Sequence, residues 1–179
     1  SPEEEDAYVQ ATFMGHRNTH PWYRHCVHRF EKQRAQKVLA SLHDGGTRLR
    51  DCVQQAGVML QNYKVVHFAE IIRRQKPEVF YEFGSGGSTL FFAELLCENH
   101  RKYGIEGHLH TFEQSEEYYR SMKNALTDAL CPYVSIHHCD VTYEKVDAFR
   151  LLSYKRPHLN HSTIDLIYID GPDHIYNGM

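Results

Sequence analysis

The sequence predicts an α/β fold, a parallel sheet layered with helices and preceded by a helical extension. Three observations predict it. Past residue 78, short apolar runs alternate with helix-length amphipathic segments, the order that builds parallel βαβ units. The first of these junctions is a glycine-rich strand-to-helix turn spanning Val79 to Leu90. Residues 1–74, by contrast, show only helical periodicity, so the chain divides into a helical extension, 1–74, and a sheet domain, 75–179.

The elements follow in order. Ser1 to Asp6 is acidic and poor in apolar residues, as a frayed terminus would be. Pro21 can open a helix as its first residue. Trp22, Cys26, Phe30, Val38 and Leu42 then recur at near-helical spacing, and Asp44-Gly45-Gly46 stops the run. A second helix covers Leu49 to Gln61, and a third covers Val65 to Arg74 and ends before Pro77. The basic residues Arg73, Arg74 and Lys76 read as a solvated helix end.

The first strand is Val79 to Phe83, with Glu82 near its end. Gly84, Gly86 and Gly87 permit a sharp turn and a close approach of backbone to ligand. Ser88 and Thr89 are capping residue types for a helix over Ser88–Glu98. A strand, glycine loop and helix N-terminus together favour an anionic ligand group such as a phosphate or carboxylate. Further strands are expected at His108–Glu113, Tyr133–His137 and Ile164–Ile169, with helices at Glu116–Leu130 and Val146–Leu152. In parallel sheets of this kind ligands bind beyond the carboxyl ends of the strands. Glu82, Glu113, Asp140 and Asp170 all fall there, a convergence that surface solvation does not account for.

Composition narrows the function. A net charge of −3 gives no strong field for nucleic acid or acidic membranes. Aromatic content of 12% and hydrophobic content of 41% suffice for a core. No apolar run is long enough to span a membrane, and no signal-peptide pattern is present. The five cysteines are odd in number and form no C-x-x-C pair, which points to a reducing, cytoplasmic setting. His16, His20, His25, Cys26 and His28 are zinc-ligand types, but their spacing fits no standard finger, so hydrogen-bonding or solvated roles are expected. No Ser-His-Asp or Cys-His arrangement stands out.

The glycine loop distinguishes between cofactors. A dinucleotide fingerprint needs G-x-G-x-x-G/A and an acid about 20 residues on. Here the sixth position is Thr89, and Glu113 comes later than expected. The run Glu82-Phe83-Gly84-Ser85-Gly86-Gly87-Ser88-Thr89 instead resembles motif I of class I S-adenosylmethionine-dependent methyltransferases, in the E-x-G-S-G-x-S-T variety. It departs from their commoner E-x-G-x-G-x-G pattern, since Ser88 replaces the third glycine. The run from Ile164 to Tyr176 is similar to the D-L-I-x-I-D-G-x-H-x-Y stretch of a subset of these enzymes, with Pro172-Asp173 where relatives often have one residue.

The resemblance covers about Val65 to Met179 and implies a Rossmann-like class I methyltransferase sheet. It implies that Glu82, Gly84, Ser85, Gly86, Gly87, Ser88, Thr89, Glu113 and Asp140 bind S-adenosylmethionine. Glu82 would lie near the methionine moiety, Glu113 at the ribose hydroxyls and Asp140 at the adenine. It also implies Asp170 and His174 as catalytic residues, with Asp170 a candidate ligand for magnesium. The expected reaction is methyl transfer to an oxygen or nitrogen nucleophile of a small molecule. Two alternatives stay open: a non-catalytic cofactor-binding interaction module, and an NAD-dependent oxidoreductase.

Sheets of this family carry seven strands, and the sequence supplies motifs for four. Ile164–Ile169 is apolar enough for a central strand, and an edge there would invite pairing with another chain. The expectation is a longer native polypeptide, or cover of that edge by the N-terminal helices or by a second copy in a homo-oligomer.

Overall fold

The computed structural model of the protein describes residues 21–42, 46–56, 62–146, 149–155, 159 and 161–170. Three helices come first: α1 (Pro21–Ser41), α2 (Thr47–Ala56) and α3 (Asn62–Gln75). Then follow β1 (Val79–Phe83), α4 (Gly87–Tyr103), β2 (His108–Glu113), α5 (Glu116–Ala125), a 3₁₀ turn (Cys131–Tyr133) and β3 (Val134–His138). β4 (Val141–Val146), β5 (Phe149–Tyr154) and β6 (Leu166–Ile169) complete the described chain.

The main sheet has the order β3-β2-β1-β6, and every neighbouring pair in it is parallel. This is the α/β architecture that the alternating pattern predicts, in the Rossmann-like form that the resemblance implies. Strand alternation sends Phe80, Leu109 and Leu166 to the face covered by the helices, where they join one continuous core with Leu90, Phe92 and Leu96 of α4. Ala35, Leu49, Cys52, Val65, Ala69 and Ile72 of α1–α3 belong to the same core. The opposite face carries Tyr81, Phe112 and Cys139, closed by Tyr154 of β5.

The extension binds α4 by charge as well as by apolar contact. Glu94 and Glu98, one turn apart and both buried, face the incoming helices. Arg48 of α2 donates to Glu94 at 2.6 Å, and Arg73 of α3 donates to Glu98 at 2.8 Å. Arg73 is therefore an ion-paired residue of the helix interface, not part of a solvated helix end. Its partner lies 25 positions away, beyond any local pattern. Gly107 shows a second tight packing point: a Cβ there would lie 2.4 Å from the Pro77 carbonyl oxygen.

Several boundaries shift. The expected helix at Val146–Leu152 is instead an antiparallel hairpin, β4–β5, pairing Val141 with Tyr154 and Val146 with Phe149. The β-branched and aromatic residues Val141, Thr142, Tyr143, Val146 and Phe149 favour that state. The helix from Glu116 stops at Ala125 because Leu126 is extended and Thr127 opens a turn. α4 runs on to Tyr103 and ends on Gly104, whose φ of 70° and N–H bond to His100 form a left-handed cap. β6 begins at Leu166, not Ile164, because the Asp165 carboxylate is turned to the N–H groups of Glu78 and Val79, both at 2.9 Å. Among the described residues β6 pairs with β1 alone, and Ile167 and Ile169 are exposed.

Candidate active site

β1 ends inside a polar knot. Glu82 is 0% exposed and points to the α4 side of the sheet. Its carboxylate accepts hydrogen bonds from Ser88 Oγ (2.7 Å), Thr89 Oγ1 (2.7 Å) and Thr111 Oγ1 (2.8 Å). Thr111 is its register partner on β2. Burial raises the Glu82 carboxyl to about 7, against the lowering pull of the three hydroxyls, and the charge of Asp170 raises it further. No cation compensates it among these partners, so Glu82 braces the loop from beneath.

The loop itself is closed by hydrogen bonds. Gly84 has φ 94°, a conformation that favours glycine, and its N–H extends the ladder to the Phe112 carbonyl at 2.8 Å. Ser85 donates its N–H (2.8 Å) and its hydroxyl (2.6 Å) to Glu113 Oε2. Gly86 precedes the first turn of α4 and gives its N–H to Thr89 Oγ1 at 3.0 Å. Ser88 and Thr89 thus lie within the first turn of α4, Thr89 capping Gly86 and both bracing Glu82. A Cβ placed on Gly86 would meet nothing within 4 Å, so the space above the loop is open to a ligand.

The loop differs in one way from the anion cradle its glycines suggest. The N–H groups of residues 84, 85 and 86 are already used, one of them by a carboxylate. Glu113, 5% exposed at the end of β2, also accepts the Ser115 N–H on Oε1 at 2.7 Å. A carboxylate in that place suits hydroxyl or cationic ligand groups and repels a pyrophosphate.

The other strand ends converge on the same edge. The Asp170 N–H donates to the Phe83 carbonyl at 2.8 Å, which sets Asp170 beside the start of the glycine loop. The Cys139 N–H donates to the Glu113 carbonyl at 2.8 Å, so Asp140 follows directly beyond that pair. Asp140 is exposed and opens the hairpin, 4.0 Å from Lys155. Gly171, Pro172, Asp173 and His174 lie outside the described residues, as do His16 and His20; of His25, Cys26 and His28 only the helical backbone is described.

Two contributors to the site carry no sequence signal. Lys64 of α3 donates to Tyr168 Oη at 2.7 Å and to Asp170 Oδ2 at 2.8 Å, across a separation of more than 100 residues. Burial opposes the Lys64 charge, but the bonds to Asp170 and Tyr168 outweigh it and raise its pKa. Tyr168 rises to about 12, chiefly through burial, with Lys64 opposing and Asp170 adding. Tyr154 is the second contributor, set by the hairpin against Phe83 with ring centroids 5.6 Å apart. Burial, then the charge of Glu113, pushes its hydroxyl up. Period-2 alternation could have paired Thr111 with Glu113 on one face; only the register reveals that Thr111 meets Glu82.

The magnesium expectation meets a charge conflict. A hard divalent ion wants carboxylate oxygens and water. Asp170 Oδ2 already faces an ammonium, and no group of three His, Cys, Asp or Glu side chains among the described residues is arranged to hold a metal. These residues do not fit the ion.

A cleft lined by His100, Gly107, His108 and Tyr133 opens at the amino end of β2, the edge away from these acids. Histidines also gather beyond the site, on the sheet face under the hairpin. His110 Nδ1 lies 3.2 Å from His137 Nε2, and its Nε2 lies 3.1 Å from His161 Nε2. The two nitrogens of His110 face opposite neighbours, so the three rings form a chain and do not converge on one point. Burial first, then the charges of His108, His161 and His137, lowers His110 to about 4.

A parallel α/β sheet with a braced glycine loop and acids at its strand ends defines a class of small-molecule cofactor-binding domains. Residues 81–178 match a family described as a methyltransferase domain. That span is more than half of the chain, and the protein belongs to this family. Among solved structures, the chain is similar to one described as "putative O-methyltransferase from Klebsiella pneumoniae", at 17% identity and a TM-score of 0.43. The match covers 61% of this chain and 52% of that one, so this chain spans about half its length. No curated protein matches. The four described cysteines, Cys52, Cys97, Cys131 and Cys139, are free. No described helix is long and apolar enough to cross a membrane.

Proposed function

We propose that the protein binds S-adenosylmethionine and transfers its methyl group to an oxygen or nitrogen nucleophile of a small molecule in the cytoplasm. The observation that supports this best is the Glu113 carboxylate, held at the end of β2 beside the open space over Gly86. Glu113 offers two oxygens to the paired hydroxyls of a ribose: the Ser115 N–H orients the carboxylate through Oε1, and a ribose hydroxyl takes over from the Ser85 hydroxyl on Oε2. The loop from Gly84 to Thr89 takes the amino-acid end of the cofactor, with Glu82 fixing the loop from below. Asp140, exposed beyond β3, reaches the adenine.

When bound, the cofactor supplies a methyl group on a positively charged sulfur that needs little further activation. Positioning then provides most of the rate. Asp170, whose Oδ2 faces Lys64, takes the proton that the acceptor releases as its new bond to the methyl carbon forms, the sulfur–methyl bond breaks and S-adenosylhomocysteine leaves. His174 is the second candidate for that proton.

Labelled S-adenosylmethionine incubated with a panel of small hydroxyl and amine acceptors tests the reading. Wild-type protein should transfer label, and Asp170→Asn should abolish transfer while S-adenosylhomocysteine still binds. Equal transfer by Asp170→Asn would move Asp170 to a structural role.

A further inference from the structure

Asp170 stands where the resemblance implies a divalent metal, yet the structure gives its carboxylate another cation. Lys64 lies in the first turn of α3, in the helical region that the glycine motif does not include. Its ammonium has three donors. One goes to Tyr168 Oη and one to Asp170 Oδ2, and no other partner appears among the described residues.

The arrangement is built from several independent contacts. Phe68, one helical turn after Lys64, packs edge-on against Tyr168 with ring centroids 4.8 Å apart. The Lys64 ammonium also sits 5.4 Å from the centre of the Tyr168 ring. α3 thus grips β6 with a cation and an aromatic at i and i+4. Phe92 of α4 meets the same tyrosine at 5.5 Å, tying the grip to the core. Lys64 is 17% exposed, Asp170 52% exposed, so the amine is enclosed while the carboxylate keeps an open side.

We propose that Lys64 is the cation of the Asp170 centre: its ammonium takes the side of the carboxylate that a divalent metal would otherwise hold, and it orients that carboxylate toward the methyl acceptor. Two like-charged cations on one carboxylate oxygen would repel each other by several kcal/mol at short range. Lys64 acts through Asp170 and is a positioning residue. Helix α3 is on this account part of the reaction centre, and the proposal rests on the methyltransferase reading for the role of Asp170.

Manganese(II), a paramagnetic stand-in for magnesium, tests this through the resonance of the free ion. Wild type, Lys64→Arg and Lys64→Met are compared, each with and without Asp170→Asn; Lys64→Gln replaces Lys64→Met should the latter not fold. Wild type and Lys64→Arg should leave millimolar manganese free. The neutral variant should take up the ion at least roughly tenfold more tightly, with the gain abolished by Asp170→Asn. Rescue by arginine reports charge, which a packing role alone would not reproduce. Equal behaviour of the three proteins, whether all bind or none does, overturns the proposal. S-adenosylhomocysteine affinity is read on the same samples: its absence would count against the methyltransferase reading and leave the manganese comparison decisive for Lys64.

Discussion

Ser85 gives both its backbone N–H and its hydroxyl to one oxygen of Glu113, at 2.8 and 2.6 Å. The carboxylate proposed to receive ribose hydroxyls is therefore bound to the cofactor loop of the same chain. A ligand must exchange its donors for those of Ser85. Removing the hydroxyl by Ser85→Ala should tighten binding of S-adenosylhomocysteine by up to about 1.5–3 kcal/mol, the worth of one bond to a charged acceptor. Weaker binding, measured by calorimetry, would show instead that the Ser85 hydroxyl is a direct ligand of the cofactor.

Glu82 makes stability depend on pH in a predictable direction. Its folded pKa, about 7, lies above the 4.5 of a free glutamate side chain. The folded state thus binds more protons than the unfolded state between those values, and the contribution of Glu82 to stability is lost as pH rises through 7. His110, lowered from 6.5 to about 4, opposes this in part: it destabilises the fold as pH falls through that window. Comparing Glu82→Gln with wild type cancels the histidine. The stability of the variant relative to wild type should improve from pH 4.5 to pH 8, by on the order of 3 kcal/mol. A pH-independent difference in denaturant unfolding would contradict a raised Glu82.

The Arg48–Glu94 pair should be costly to break from one side. Glu94 is 0% exposed, and Arg48 meets it through both Nε (3.1 Å) and Nη2 (2.6 Å). Arg48→Met leaves a buried carboxylate uncompensated and should destabilise by about 3–5 kcal/mol. The double variant with Glu94→Leu should recover much of that loss, since an apolar pair of similar volume is often neutral. Thermal unfolding of the single and double variants measures the coupling; additive effects would contradict it.

What the sequence revealed divides along a physical line. Period-2 alternation located β2 at His108–Glu113 without error, and the glycine cluster located the turn that sets Ser85 against Glu113. Strand–helix alternation gave the parallel sheet. These signals are local. Lys64 and Arg73 acquire their roles from partners that α3 meets only after the chain has folded, so no spacing marks them. The helix expected at Val146–Leu152 gives way to strand because pairing between β4 and β5, which no local pattern reports, decides the conformation. The hydroxyls of Ser88 and Thr89 read as caps; the buried carboxylate that also claims them shows only in three dimensions.

One measurement tests the central claim most directly: calorimetric titration of wild type and Glu113→Ala with S-adenosylhomocysteine, and of wild type with NAD. Hydrogen bonds to a charged acceptor are worth roughly 1.5–3 kcal/mol each, so Glu113→Ala should weaken S-adenosylhomocysteine tenfold or more, with no heat from NAD. Binding of NAD in its place, or unchanged affinity in Glu113→Ala, would contradict the account.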